Sequence, residues 1–155
     1  MLQGQQLFND VLEEIKRWNP SQEYDRENEF RDELKEVLDK SLNSNQGDFM
    51  GRQEPVPLRS ERGKSRADIV VDDTVGIELK RNFDNGMRDR LETQIRKQMD
   101  EYPYLIVLTC GMDDTGGWRE LEKKFQGSHG MEGKQVEFVW KKKENYGKDS
   151  SQDSG

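Results

Sequence analysis

Cysteine, histidine and long apolar runs are scarce in this sequence, and each shortage excludes a class of protein. The single cysteine, Cys110, cannot form an internal disulfide and fits a reducing compartment. The single histidine, His129, stands among glycines and gives little support to a histidine metal site or a Ser-His triad. No apolar run approaches about 18 residues and no signal peptide is recognisable, so we expect a cytoplasmic protein with no membrane segment.

Apolar residues are few, but they are unevenly distributed along the chain. Only 30% of the 155 residues are hydrophobic and 37% are charged, yet the apolar residues cluster in periodic segments. This pattern predicts one compact domain with a very polar surface rather than a disordered chain. The net charge of −7 excludes a generic nucleic-acid coat, which would be basic, but it allows an enzyme with a local basic rim.

The periodicity of the apolar residues predicts an α/β fold. A helix between a strand of a hairpin and a later apolar strand implies a mixed central sheet flanked by helices. We divide the chain into an N-terminal helix over 1–20, a domain over 21–141 and a disordered tail over 142–155. The predicted elements are a helix over 7–18, a helix capped by Ser21 with its apolar stripe over 30–42, a short strand within 48–65, strands over 67–71 and 75–80, a helix over 85–101, a strand over 104–110, a helix over 118–125, a loop over 126–133 and a strand over 136–140.

The stretch RADIVVDDTVGIELKRN, residues 66–82, contains three residues whose side chains together suit hydrolysis. In a strand, Glu78 and Lys80 share one face, while the apolar residues beside them share the other. Antiparallel pairing across the Asp-Asp-Thr turn brings Asp68 within reach of Glu78. Two converging carboxylates favour a Mg²⁺ or Mn²⁺ ion between them. A neighbouring lysine can hold or help deprotonate a water that attacks a phosphorus atom.

A structural interpretation of the same residues is a half-buried hairpin whose outer face is polar. In that case Glu78 and Lys80 would form surface ion pairs, which contribute little to stability. The motif of Asp, nine residues and Glu-x-Lys is too short to decide between the two interpretations, so its surroundings matter.

Those surroundings resemble the PD-(D/E)XK nuclease superfamily. A long amphipathic helix precedes the motif, and a helix and a buried strand follow it, over about residues 24–110. The resemblance implies an αβββαβ restriction-endonuclease-like core in which Asp68 and Glu78 bind the metal and Lys80 is the catalytic lysine. The superfamily's proline is replaced here by Ala67, a common departure. The implied function is metal-dependent hydrolysis of DNA phosphodiester bonds, with Mg²⁺ or Mn²⁺ as the cofactor.

The resemblance also implies two site residues on the flanking helices. Members of the superfamily often add a glutamate from the preceding helix, and we choose Glu27 as this catalytic residue and third metal ligand, because its spacing sets it on the same face as the apolar stripe. Glu29 and Glu33 are the alternatives. Several branches also carry a glutamine on the following helix. We choose Gln94 for this role, with Gln98 one turn later as the alternative.

Basic residues gather on both sides of the motif, where they are the expected contacts for DNA phosphates. The opposing interpretation is ordinary solvated surface on a catalytically inactive nuclease-like module that serves nucleic-acid binding or protein assembly. Junction resolvases of this superfamily usually dimerise, so a homodimer is an open alternative to a monomer. The candidate phosphate-binding residues are Arg59, Arg62, Lys64, Arg66 and Arg81.

Overall fold

Helices form where apolar residues recur every three or four positions along the chain. The computed structural model describes residues 2–43, 55–60, 67–129 and 133–148. Within these ranges no helix combines the length and the apolarity needed to cross a membrane. The α-helices are α1 (Leu2–Arg17), α2 (Glu27–Asn43), α3 (Arg88–Glu101) and α4 (Thr115–Phe125).

The helices pack on one mixed sheet. Its described strands are β1 (Leu58–Ser60), β2 (Ile69–Val71), β3 (Val75–Phe83), β4 (Tyr104–Met112), β5 (Gly127–His129) and β6 (Lys134–Lys141). They lie in the order β1-β2-β3-β4-β6-β5. Strand β2 is antiparallel to both β1 and β3, β4 is parallel to both β3 and β6, and β5 is antiparallel to β6. The predicted α/β class with a mixed central sheet is therefore confirmed.

The central strands are buried because helices cover both faces of the sheet. In β4, Ile106 and Leu108 pack with α1 and α2, whereas Leu105 and Val107 pack with α3 and α4. Burial on both faces explains the continuous apolar run of this strand. Because α1 shares one core with α2, the first helix is an integral part of the domain.

The second helix begins later than predicted, and Ser21 does not cap it. At the start of α2, the Glu29 carboxylate accepts a hydrogen bond from the backbone N–H of Arg26 (3.2 Å), which is half of a capping box. Ser21 instead donates to Glu33, through its N–H (3.0 Å) and its hydroxyl (2.6 Å). The prediction failed because a serine after a proline resembles a helix cap in sequence. The group that Ser21 binds is the side chain of Glu33, which only the folded chain brings close to it.

Two boundaries in the last third of the chain also differ from the prediction. Helix α4 starts at Thr115 rather than 118, because the Asp114 side chain accepts a hydrogen bond from the Gly117 N–H (3.0 Å) and caps the helix. Strand β5 lies in a segment predicted as loop and pairs with β6. Its residues are glycine, serine and histidine, which carry no strand signal.

The segment after β6 is ordered further than predicted. Lys143–Asn145 forms a turn of 3-10 helix, and the Gly147 N–H donates to the carbonyl of Pro20 (2.7 Å). The ring of Tyr146 packs against that of Phe30, with centroids 5.9 Å apart. A single aromatic side chain and backbone hydrogen bonds leave no periodic pattern in the sequence. Residues 149–155 of the predicted disordered tail lie outside the described residues.

Candidate active site

The hairpin of β2 and β3 positions the predicted Asp68 and Glu78. Its register pairs Ile69 with Ile77, and one further step along both strands sets Asp68 opposite Glu78. Two aspartates with φ of 51° and 52° form the tight turn between the strands, as predicted. Among the described residues, no strand pairs with this edge of β3 beyond Ile77, and a cleft lies between Asp68 and the start of α2.

Glu78 and Lys80 lie together on the face of β3 that α3 covers. The Glu78 side chain is 2% exposed and that of Lys80 is 11% exposed. The Lys80 Nζ atom is 3.0 Å from Glu78 Oε2. The interpretation of this pair as part of a solvated outer face is therefore wrong, because α3 covers the polar face of the hairpin.

Gln98 of α3 completes the contacts of the Glu78 carboxylate. Its side chain is fully buried and its Nε2 donates to Glu78 Oε1 at 2.8 Å. The glutamine that reaches Glu78 is thus the alternative we named, rather than Gln94, which lies one turn earlier and is half-buried. The signal was present in the sequence: Gln98 follows Leu91 and Ile95 at helical spacing, and all three are buried.

Glu27, at the start of α2, lies beside this group as predicted. Its Oε2 accepts a hydrogen bond from the backbone N–H of Arg81 (3.2 Å), which lies one residue beyond Lys80 on β3. The two alternatives are engaged elsewhere. Glu29 caps α2, and Glu33 accepts hydrogen bonds from the loop between α1 and α2.

Asp68 forms the other side of the cleft. Its Oδ2 accepts a hydrogen bond from the Leu79 N–H (2.7 Å), which anchors it to β3 in place of a β2 ladder bond. A cavity of about 280 Å³ opens in front of it, lined by Asp68, Glu27, Asn28 and Arg31. Asp68 and Glu27 therefore border a space that solvent and ligands can enter.

Burial and like charge perturb the ionisation of this group. Burial raises the pKa of Asp68 to about 8, and the neighbouring Glu78 and Glu27 carboxylates add to this rise. Burial also raises the pKa of Glu78, although the Lys80 ammonium opposes it. Burial alone would lower the pKa of Lys80, but the carboxylates of Glu78 and Glu27 outweigh it and raise that pKa. Lys80 is therefore an ammonium in a site with an excess of carboxylates.

The donor set fits a hard divalent ion held by two protein ligands. Within the described ranges, no group of three or more His, Cys, Asp or Glu side chains is arranged to hold a metal. Mg²⁺ usually takes only one or two carboxylates and keeps several waters. Asp68 supplies a half-buried carboxylate and Glu78 a buried one, and burial raises the pKa of both, so that a bound cation would favour their ionised forms. The predicted third ligand, Glu27, borders the same cavity.

The predicted basic rim is only partly described. Arg59 forms an ion pair with Asp73 of the hairpin turn. The Nε of Arg81 donates to the carbonyl of Tyr24 (2.7 Å), so this side chain ties the loop before α2 to β3. Among the residues that the structure describes, Arg31 is the basic residue that lines the cavity, and sequence reasoning missed it although it follows Glu27 by four positions on α2. The predicted Arg62, Lys64 and Arg66 lie outside the described residues.

Glu33 anchors the loop that leads into the Glu27 end of α2. Its carboxylate accepts hydrogen bonds from Trp18 Nε1 (2.9 Å), Ser21 Oγ (2.6 Å) and Tyr24 OH (2.7 Å). Burial would raise the pKa of Glu33, but these hydrogen bonds hold it below its usual range. One carboxylate therefore joins the end of α1, the loop and α2.

Replacing Glu33 with alanine is expected to lower the free energy of unfolding by about 2 kcal/mol, because three donors lose their partner together. Urea denaturation of Glu33→Ala and of Glu36→Ala, an exposed neighbour on α2, measures the effect. Glu36→Ala should stay within about 0.5 kcal/mol of the wild type. Equal losses in the two variants would contradict the anchoring role of Glu33.

No family model, curated protein or solved structure matches this chain. The chemistry of the site therefore has to be inferred from its own residues. They are a half-buried Asp opposite a buried Glu, a lysine on the same strand as the Glu, and a glutamine that holds the Glu in place. Such a group can bind a divalent ion and present an ammonium to a ligand in the cleft.

Proposed function

We propose that this protein is a metal-dependent nuclease that hydrolyses phosphodiester bonds in DNA. The observation that carries the proposal is the group formed by half-buried Asp68, just before β2, and buried Glu78 and Lys80 on β3, with Lys80 Nζ 3.0 Å from Glu78 Oε2. Ionisable side chains at this depth cost folding free energy. Perturbed groups of this kind at a cleft are typical of active sites.

The order of the elements supports the proposal that this chain is related to the PD-(D/E)XK superfamily. Elements α2, β1, β2, β3, α3 and β4 follow one another as helix, three strands, helix and strand. Strand β2 is antiparallel to β1 and to β3, and β4 is parallel to β3. This order agrees with the αβββαβ core that the sequence resemblance implies, with the candidate residues at its second and third strands.

Each residue has a separate task in the proposed reaction. Asp68 and Glu78 would hold Mg²⁺ or Mn²⁺, and the bound ion supplies charge neutralisation at the phosphate oxygens. The Lys80 ammonium donates a hydrogen bond to the attacking water and stabilises the negative charge that forms on the phosphate. Gln98 fixes the orientation of Glu78 through its hydrogen bond. Glu27 borders the cavity in front of Asp68, and its carboxylate adds to that of Glu78 in raising the pKa of Lys80.

The direct test is the cleavage of supercoiled, linear, branched and single-stranded DNA by the purified full chain. At least one form should be cut with Mg²⁺ or Mn²⁺, and EDTA should stop the reaction. In calorimetry, Asp68→Asn should bind Mn²⁺ at least about tenfold more weakly than the wild type. Asp25→Asn, a change in the exposed loop before α2, is the matched control. A wild-type protein that binds neither ion and cuts none of these forms contradicts the proposal.

A second candidate is a nuclease-like module that binds nucleic acid or assembles with other proteins without catalysis. Two observations favour it: Lys80 already neutralises Glu78, and the described residues contain no three-ligand metal group. This candidate predicts no binding of Mn²⁺ at Asp68 and Glu78, so the same calorimetry separates the two functions.

A further inference from the structure

The cavity in front of Asp68 has one basic wall. Arg31 lines it together with Glu27, Asn28 and Asp68, and its side chain is only 18% exposed. Glu27 and Arg31 are four residues apart, so they lie on the same face of α2 with about 6 Å between them along the helix axis. The cleft therefore carries carboxylates at one end and a guanidinium one helical turn away.

The guanidinium is held by a neighbour that a stronger anion can replace. Its Nε and one Nη donate to Asp32 Oδ1 at 3.1 and 3.0 Å. The Asp32 side chain is 64% exposed, and an ion pair with so exposed a partner contributes little to stability. Both donors point at one oxygen, whereas a phosphate offers two oxygens to the fork of an arginine.

We propose that Arg31 binds a backbone phosphate next to the one being cut, on the same DNA strand. This inference rests on the proposed nuclease function. A polyanion entering between Asp68 and Glu27 meets repulsion on that side of the cleft, and the chain as a whole carries a net charge of −7. A positive wall one turn along α2 supplies the attraction that the carboxylate end lacks and fixes the direction in which the strand crosses the cleft.

A phosphate contact by Arg31 affects DNA binding in a way that an ion pair of purely structural importance does not. Loss of one phosphate contact weakens DNA binding whatever the sequence. It also reduces the slope of log affinity against log salt concentration by about 0.7–0.9. A structural defect changes the amount of folded protein but leaves that slope unaltered.

The experiment measures the binding of fluorescent DNA by the full chain in Mg²⁺ over a range of salt concentrations. Lys80→Gln is the background, so that the DNA stays intact. Adding Arg31→Gln should lower affinity about tenfold and reduce the salt slope by about 0.7–0.9. Asp32→Asn removes the exposed partner and keeps the guanidinium, so it should bind at least as tightly as its parent. Arg90→Gln, an exposed arginine on α3, should leave both quantities unchanged.

The outcomes separate this inference from the function on which it rests. If the wild type cuts DNA but Arg31→Gln leaves affinity and slope unchanged, the phosphate contact is refuted and the nuclease function stands. If Asp32→Asn weakens binding as much as Arg31→Gln, the ion pair is structural and the inference is likewise refuted. If the wild-type chain neither cuts nor binds DNA, the function fails, and the phosphate contact fails with it.

Discussion

Replacing Lys80 with glutamine is expected to lower the rate of metal-dependent DNA cleavage about 10³-fold while the fold stays intact. Glutamine can still donate a hydrogen bond to Glu78, so the variant removes the positive charge and keeps a polar contact. The loss should appear in kcat with little change in KM, because the ammonium acts on charge that develops during the reaction.

A second buried lysine offers a matched control for this variant. Lys141, on β6, is 6% exposed and its Nζ donates to the carbonyl of Lys16 at 2.8 Å. Lys141→Gln therefore removes a buried ammonium from a strand of the same sheet that β4 separates from β3. Both variants should show modest losses in thermal stability, and only Lys80→Gln should lose cleavage.

The comparison decides what the Lys80–Glu78 pair is for. If Lys80→Gln cuts at the wild-type rate, Lys80 is a counterion for a buried glutamate and the proposed chemistry has no donor. If both lysine variants lose cleavage in proportion to their loss of folded protein, the effect is one of stability. The proposed role requires a loss per folded molecule at Lys80 alone.

Local patterns were sufficient to predict how Asp68, Glu78 and Lys80 are placed relative to one another. Alternation along β3 predicted that Glu78 and Lys80 share a face, and the short turn predicted that Asp68 lies opposite Glu78; the strand register agrees with both. These inferences needed only the period of a strand and the length of a turn. Both are properties of neighbouring residues, so they can be derived from a single sequence.

The surrounding contacts depend on how helices are rotated against the sheet. Both Gln94 and Gln98 are on α3, and which of them meets Glu78 depends on the depth at which Leu91 and Ile95 pack. The burial of the site has the same origin. A polar strand face can be solvated or covered, and only the position of α3 shows that Glu78 is covered.

The contacts made by the loops could not be predicted for a related reason. Glu33 joins segments up to 15 positions away, and Arg31 lines one cavity with Asp68, which follows it by 37 positions. Single charged residues on a helix carry no mark of such partners. The region that includes Arg62, Lys64 and Arg66 lies outside the described residues, so its role as a basic rim stays a prediction.

Converting Asp68 to asparagine is expected to stabilise the metal-free protein while it weakens metal binding. Asparagine can still accept the hydrogen bond from the Leu79 N–H, but it removes a half-buried carboxylate whose charge is opposed by those of Glu78 and Glu27. The gain in unfolding free energy at pH 8 should be on the order of 2–4 kcal/mol. Urea denaturation in EDTA measures it, with Asp25→Asn as the exposed control.

The pH dependence of this effect has a definite sign. The pKa of Asp68 is raised to about 8 in the folded chain, from 3.8 for an unperturbed aspartate. The folded protein therefore takes up a proton that the unfolded chain does not, and the wild type gains stability as the pH falls from about 8 towards 4. Asp68→Asn should flatten much of this slope, and Glu78, whose pKa is also raised, should account for the remainder.

Divalent metal should reverse the order of stability of the two proteins. Above pH 8 the wild type carries the full cost of its adjacent carboxylates, and Mn²⁺ should relieve that cost and raise the melting temperature, whereas Asp68→Asn should respond weakly. Such a reversal is expected of a binding site that destabilises the protein when its ligand is absent. A wild type that is more stable than Asp68→Asn in EDTA at pH 8, and unmoved by Mn²⁺, would mean that Asp68 is a structural residue anchored by the Leu79 N–H.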